Sequence, residues 1–294
     1  RKGMLYGIYN AYWTHEWSAD YEYYIPKVKK LGFDVLEISC AALTRHYATD
    51  EKIRDLKKCA DDNGIILTAG YGPTKEQNLC SADPEVVKKA MAFFEMVLPK
   101  LEMMDIKVLG GGLYSYWPLD PAMPMDKEKD TERAIENMRK LSKVAESCDV
   151  TLGMEVLNRY EGYMMNTCRE ALQFIDAVGS SHVKVMLDTF HMNIEEDNMA
   201  AAIRLAGDKL GHLHLGEQNR RVPGKGSMPW QEIGQALRDI NDQGAAVMEP
   251  FVMTGGTIGS EIKVWRDLLP DITEEILDKE AKGAVEFVRH VFGI

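Results

Sequence analysis

The feature that most constrains this 294-residue chain is a β-then-α alternation repeated eight times. Short runs rich in Val, Ile and Leu are each followed by a stretch with apolar residues three and four apart, the pattern of a half-buried helix. The strands are read at residues 5–9, 33–38, 65–69, 106–109, 150–156, 183–187, 211–215 and 245–248. The helices that follow them are read at 20–31, 50–63, 83–103, 126–147, 167–178, 198–210, 230–240 and 274–292. Turn chemistry agrees with this phasing. Leu31-Gly32, Asn63-Gly64 and Val178-Gly179 put a glycine just past a helix, and Asp83-Pro84 opens one. Eight such units with no Pro/Gly/Ser-rich linker predict an α/β chain folded as one closed (β/α)8 TIM barrel, a single catalytic domain over residues 1–294.

The competing arrangement is an open doubly wound sheet, which carries a Gly-x-Gly-x-x-Gly turn after its first strand. Here Tyr9 is followed by NAYWTHEW, and no phosphate-loop motif occurs elsewhere, so no nucleotide cofactor is expected. Gly110-Gly111-Gly112, after the fourth strand, is read as a place of close backbone packing rather than a phosphate cradle. Lys+Arg number 35 against 46 Asp+Glu, a net charge of −11, which argues against nucleic acid as a partner, since affinity from neutralising backbone phosphates needs a net basic surface. The five cysteines are widely spaced with no Cys-x-x-Cys pair, so neither a disulfide framework nor a cysteine zinc site is expected. After Arg1 and Lys2 the chain continues with polar and aromatic residues rather than a long apolar run. Neither a signal peptide nor a membrane span is expected, and the location is read as cytoplasmic.

In a barrel of this kind chemistry sits at the C-terminal ends of the strands. The last four strands bring Glu155, Asp188, His214 and Glu249 to such ends, 33, 26 and 35 residues apart along the chain. Each interval is close to one barrel unit, so neighbouring strands would present these groups at a common height. Carboxylates set in apolar runs such as GMEVL and VMEPF are costly to bury unpaired, and three together repel unless a cation holds them. Three carboxylates with one imidazole suit a divalent ion of the Mn2+, Mg2+ or Co2+ type. His212 shares a strand face with His214 and is left open as a supporting donor or a core histidine. Glu161, His191 and Arg220 are mouth residues able to hold a polyhydroxylated substrate. Tyr9, Tyr12, Trp13 and Trp17 follow the first strand, and Tyr114, Tyr116 and Trp117 the fourth. Aromatic loops of this density line a pocket or a subunit contact.

Carboxylates around a cation can abstract a proton beside a carbonyl. Two of them on opposite faces of one carbon would invert it, whereas a single base shuttling between adjacent carbons would interconvert ketose and aldose. The residues alone leave both open.

The segments MEVLNRYEGYMMNT, VKVMLDTFHMNIEE, GHLHLGEQNRRVPGKG and VMEPFV, with GGGLYSYWP and GIYNAYW, resemble the ketose 3-epimerase family of the xylose-isomerase-like barrels, over essentially the whole chain. The resemblance implies metal ligands at Glu155, Asp188, His214 and Glu249, with Mn2+ the usual ion and Co2+ also active. It implies that Glu155 and Glu249 exchange the proton at C3 of a free ketohexose through a cis-enediolate. Glu161, His191 and Arg220 would hold the O1/O2 end, Tyr9, Trp17 and Trp117 would lie near the sugar, and Gly70 and Gly110 would be close-approach positions. A homo-oligomer, dimer or tetramer, is also implied.

Overall fold

The computed structural model describes residues 3–294; Arg1 and Lys2, the two N-terminal positive charges, lie outside the described residues. In chain order the elements are β1 (Leu5–Tyr9), α1 (Tyr21–Leu31), β2 (Val35–Ser39), α2 (Asp50–Asn63), β3 (Ile66–Gly70), α3 (Pro84–Met103), β4 (Val108–Gly111) and α4 (Lys127–Cys148). Then come β5 (Thr151–Glu155), α5 (Cys168–Val178), β6 (Val183–Asp188), α6 (Thr189–Glu195), α7 (Met199–Ala206), β7 (Leu210–Leu215), α8 (Trp230–Asp239), β8 (Ala245–Met248), α9 (Gly256–Ile262) and α10 (Glu274–Phe292). The strand order is β1 through β8 in a closed parallel barrel, the (β/α)8 architecture read from the alternation. The chain packs as two compact units, one running through Thr68 and resuming over Leu213–Ile294, the other Ala69–His212.

In the first unit β1 is central. Gly7 pairs with Val35 of β2, Leu5 with Ala245 of β8, and His214 of β7 with Val247. Tyr6, Ile8, Val35, Leu36 and Val247 are fully buried, and Phe292 closes the base beside Tyr6 at a ring separation of 6.3 Å. Gly32 ends α1 with φ 104°, the left-handed cap that a side chain would strain.

In the second unit β4 pairs with β3 and β5, and β5 with β6. Helix α3 starts as its sequence dictates, with Asp83 accepting from the Glu85 N–H at 2.9 Å and Pro84 in the first turn. It then buries Ala90, Phe94, Val97, Leu98 and Leu101, one stripe at helical spacing. Burying each large apolar side chain contributes about 1.5–3 kcal/mol. Thr167 and Asn198 cap α5 and α7 in the same side-chain-to-backbone way.

Three local differences from the sequence expectation bear on function. The fourth strand runs over Val108–Gly111, so two of its glycines are strand residues and not a loop. They are there for space: a Cβ on Gly110 would overlap Met186 Sδ, and one on Gly111 would overlap the Tyr71 carbonyl. The helix expected over 198–210 is α7, which stops at Ala206 so that β7 can begin at Leu210. Two helices were not anticipated, α6 and α9, each of 7 residues and so too short to show a clear periodicity. Among the described residues no helix is long and apolar enough to cross a membrane.

Candidate active site

In the second unit β5 ends at Glu155 and β6 at Asp188. Strand alternation puts Glu155 on the face of Gly153 and Asp188 on the face of Met186. A Cβ on Gly153 would sit 3.2 Å from Met186 Cβ and 3.8 Å from His212 Cβ, so these positions share one crowded face floored by glycine. Gly70 and Gly110 are register partners across β3 and β4. Asp188 is 1% exposed and doubles as the cap of α6, accepting from the Phe190 N–H at 2.8 Å. Its cap role starts α6 at once and so brings His191, one turn on, back over the strand ends.

His191 is buried beside both carboxylates. Its Nε2 lies 3.5 Å from Glu155 Oε1 and 3.9 Å from Asp188 Oδ2. Its Nδ1 receives the Asn158 backbone N–H at 3.1 Å and stands 2.9 Å from Asn158 Nδ2. The Asn158 amide is oriented by its own Oδ1, which accepts from the Tyr160 N–H at 2.9 Å. Asn158 Nδ2 also donates to Glu161 Oε2 at 2.8 Å, and Trp117 Nε1 donates to Glu161 Oε1 at 3.1 Å. Glu161, His191 and Trp117 are therefore one connected group, with Asn158 joining Glu161 to His191.

Burial lowers the His191 pKa, while Glu161, Asp188 and Glu155 pull it upward, a pull that a cation shared by those carboxylates would relieve. The hydrogen bonds oppose that pull. An N–H donated into Nδ1 requires a lone pair there, which leaves His191 neutral with its proton on Nε2. A neutral His191 does not balance the Glu155 and Asp188 charges. One oxygen or nitrogen from each of Glu155, Asp188 and His191 lies within 4.8 Å of the others, a group able to hold a metal ion. The donor chemistry fits a cation shared by the carboxylates, with His191 as a hydrogen-bond donor alongside.

The first unit supplies the other expected residues. His214, on β7, places Nδ1 at 3.3 Å from Glu249 Oε2, and Glu249 follows β8 directly with its N–H on the Leu215 carbonyl at 2.9 Å. His214 Nε2 is hydrogen-bonded to Glu37 Oε2. Glu37 is wholly buried in the middle of β2, and its Oε1 accepts from the Thr68 hydroxyl at 2.9 Å. A carboxylate holding one imidazole nitrogen leaves the other as a lone-pair donor, the usual support of a metal-binding histidine. Glu37 was not picked out from sequence. Its signal was an acidic residue inside the apolar run FDVLEI.

Arg220 reaches Glu249 Oε1 with Nη1 at 3.4 Å and stacks its guanidinium 5.2 Å from the Phe251 ring centre. Its backbone is left-handed, with φ 66°, and its carbonyl is fixed by the Phe251 N–H at 2.9 Å. Tyr9 and Trp17 form an aromatic wall, their rings 6.1 Å apart, with Phe251 edge-on to Trp17 at 6.0 Å. Tyr9 is also 6.1 Å from the His214 ring. Burial, then the neighbouring Glu37, hold its phenol well above the ordinary range, so it stays neutral. Trp17 is oriented by donating Nε1 to Glu261 at 2.9 Å.

Comparison with known proteins identifies the family. Residues 25–270 match the xylose isomerase-like TIM barrel family model. A D-psicose 3-epimerase of Enterocloster bolteae is 71% identical over 292 residues, covering 99% of this chain and 97% of that protein. The crystal structure of D-psicose 3-epimerase with D-tagatose from Clostridium cellulolyticum H10 superposes with a TM-score of 0.96 at 54% identity, covering 98% of this chain and 99% of the other. A crystal structure of a D-psicose 3-epimerase in the presence of D-fructose gives a TM-score of 0.96 at 52% identity, covering 99% of this chain and all of the other.

Proposed function

Since the chain belongs to the ketose 3-epimerase family of the xylose isomerase-like TIM barrels, we propose that Glu155 and Glu249 invert C3 of a free ketohexose, one removing the proton and the other returning it on the opposite face. The substrates are the pairs D-fructose/D-allulose and D-tagatose/D-sorbose. The deprotonated sugar passes through a cis-enediolate, and no nucleotide cofactor takes part.

Glu155, Asp188, His214 and Glu249 are the residues that would hold a divalent ion, with Mn2+ favoured by the carboxylate-rich donor set and Co2+ or Mg2+ as alternatives. Such an ion supplies Lewis-acid stabilisation of negative charge developing on the sugar oxygens. His191 donates its Nε2–H to the O1/O2 end of the ketose, Glu161 accepts from a sugar hydroxyl, and Arg220 supplies a second charged donor. Tyr9, Trp17 and Trp117 cover apolar C–H surface of the open-chain sugar and exclude water from the reacting carbon.

The observation that carries this reading is His191, neutral by its hydrogen bonds and aimed at two buried carboxylates on adjoining strand ends. The whole (β/α)8 chain acts as one catalytic domain. It works as a homo-oligomer, a dimer or tetramer, which the exposed Tyr160 (73%) and Trp265 (75%) support by offering large apolar rings for burial. The five free cysteines support a cytoplasmic setting.

The test is incubation with Mn2+ and each of D-fructose, D-allulose, D-tagatose and D-sorbose in heavy water, with the label located and the products resolved. Deuterium at C3 with inversion is the expected result. Label at C1 or C2 with an aldose product would replace epimerisation by ketose–aldose isomerisation.

A further inference from the structure

Two consecutive arginines in the β7–α8 loop go to different surroundings. Arg220 faces Glu249 and Phe251, as described. Arg221 lines a separate cavity of about 140 Å3 together with Tyr12, Lys225, Val252, Leu269 and Glu280. None of these side chains belongs to the candidate active site. Arg221 Nε is buried and has no hydrogen-bond partner among the described residues. A desolvated guanidinium N–H without an acceptor is unfavourable, more so than a neutral one. The nearby groups do not meet the need. Tyr12 directs its hydroxyl to the Leu277 carbonyl at 2.7 Å, and Glu280 Oε2 is 3.9 Å from Lys225 Nζ.

The loop is built to keep Arg221 there. The fully buried Glu217 accepts from the Gly224 N–H at 2.6 Å, the Met228 N–H at 3.0 Å and Trp230 Nε1 at 2.8 Å. Asn219 Oδ1 holds the Arg221 N–H at 3.0 Å. Two cations therefore face one carboxylate in a cavity walled by Val252 and Leu269, where a charge pair is screened less than in water. The volume is several times the roughly 30 Å3 share of one water, enough for a tetrahedral oxyanion.

We infer that this cavity is a phosphate-group site distinct from the catalytic centre, with Arg221 as the forked donor and Lys225 as a second positive charge. A planar guanidinium suits two oxygens of one phosphate. Loops after the seventh and eighth strands are also where barrels of this class commonly bind phosphate, and Arg221 and Val252 come from those two loops. The ligand could be inorganic phosphate or the phosphate of a small monoester. The inference does not depend on the epimerase reading.

The test is calorimetric titration of the metal-loaded full chain, at constant ionic strength, with inorganic phosphate and separately with glycerol 2-phosphate. Saturable binding with a dissociation constant at or below about 1 mM is expected, weakened about tenfold or more in Arg221→Gln and in Lys225→Gln. Glu280→Gln should tighten binding by about threefold or more, since it removes the competing carboxylate. The tighter of the two ligands names the source. No saturable binding of either, or binding unchanged in Arg221→Gln, overturns the site. So does binding lost in Arg220→Gln but kept in Arg221→Gln, which would put the phosphate in the catalytic centre. Thermal melting checks the fold of each variant, and the largely exposed Lys225 carries the test should Arg221→Gln fail to fold.

Discussion

Glu37 Oε2 and His214 Nε2 are joined by a hydrogen bond that no water reaches, the carboxylate held in turn by Thr68. This bond selects the His214 tautomer whose Nδ1 carries the lone pair. Glu37→Gln presents an amide that can donate where Glu37 accepts, and the wrong tautomer follows. Divalent-metal affinity is expected to fall by about 10- to 100-fold. Competition against a chelator of known affinity measures it; unchanged affinity would reduce Glu37 to a packing role.

Glu155→Gln and Glu249→Gln each remove one proposed proton carrier while keeping side-chain shape. Loss of a positioned acid–base group costs about 10²- to 10⁴-fold in kcat. Both residues are also expected metal ligands, so turnover must be compared at measured metal occupancy. A variant that keeps near-normal turnover with metal bound would lose its assigned role.

Asn158 is the joint between Glu161 and His191, and truncating it tests the neutral imidazole. In Asn158→Ala the Nδ2 donor to both residues is gone, although the backbone N–H to His191 remains. A buried partner left unsatisfied costs about 1–3 kcal/mol, so kcat/KM should drop by about 5- to 150-fold. Nitrogen NMR of the wild-type histidines supplies an independent readout. Nδ1 of His191 should report as an acceptor without a proton, and a protonated Nδ1 would contradict the geometry.

Removing the metal tests the charge argument on stability as well as activity. Carboxylates gathered at strand ends repel one another, and an ion bound only by the folded chain stabilises it by about 2.7 kcal/mol at 100 times its dissociation constant. For a chain of this size the apo protein should melt roughly 5 to 10 °C lower than the Mn2+-loaded one. Calorimetry before and after chelation measures the shift, and an unmoved melting temperature with full activity would dismiss the ion.

The sequence made the strand-end residues legible because each sits where an apolar run meets a polar loop, at intervals matching one β/α unit. Glu37 was hidden by the opposite circumstance: it lies in the middle of β2, where an acidic residue looks like an interruption rather than a ligand's support. Asn158 and Glu217 were hidden for another reason. Each works through backbone N–H groups, and nothing in residue type reveals which backbone donors a loop will turn inward. The short helix α6 escaped periodicity, yet its start was written in Asp188, whose carboxylate caps it. Capping chemistry would have located it sooner than hydrophobic spacing.

Glu217 offers the sharpest separation of loop order from chemistry. It touches none of the catalytic residues directly, yet its three N–H donors come from Gly224, Met228 and Trp230, which close the loop carrying Arg220. In Glu217→Gln one acceptor oxygen becomes an NH2 group facing those donors, leaving at least one of them unmet. Stability should fall by about 1–3 kcal/mol, seen as a lower denaturant midpoint. Because Arg220 is expected to hold the sugar rather than move its proton, the looser loop should raise KM several-fold with kcat nearly unchanged. Equal losses in kcat and kcat/KM would instead mean that the loop acts in the transition state, and Arg220 with it.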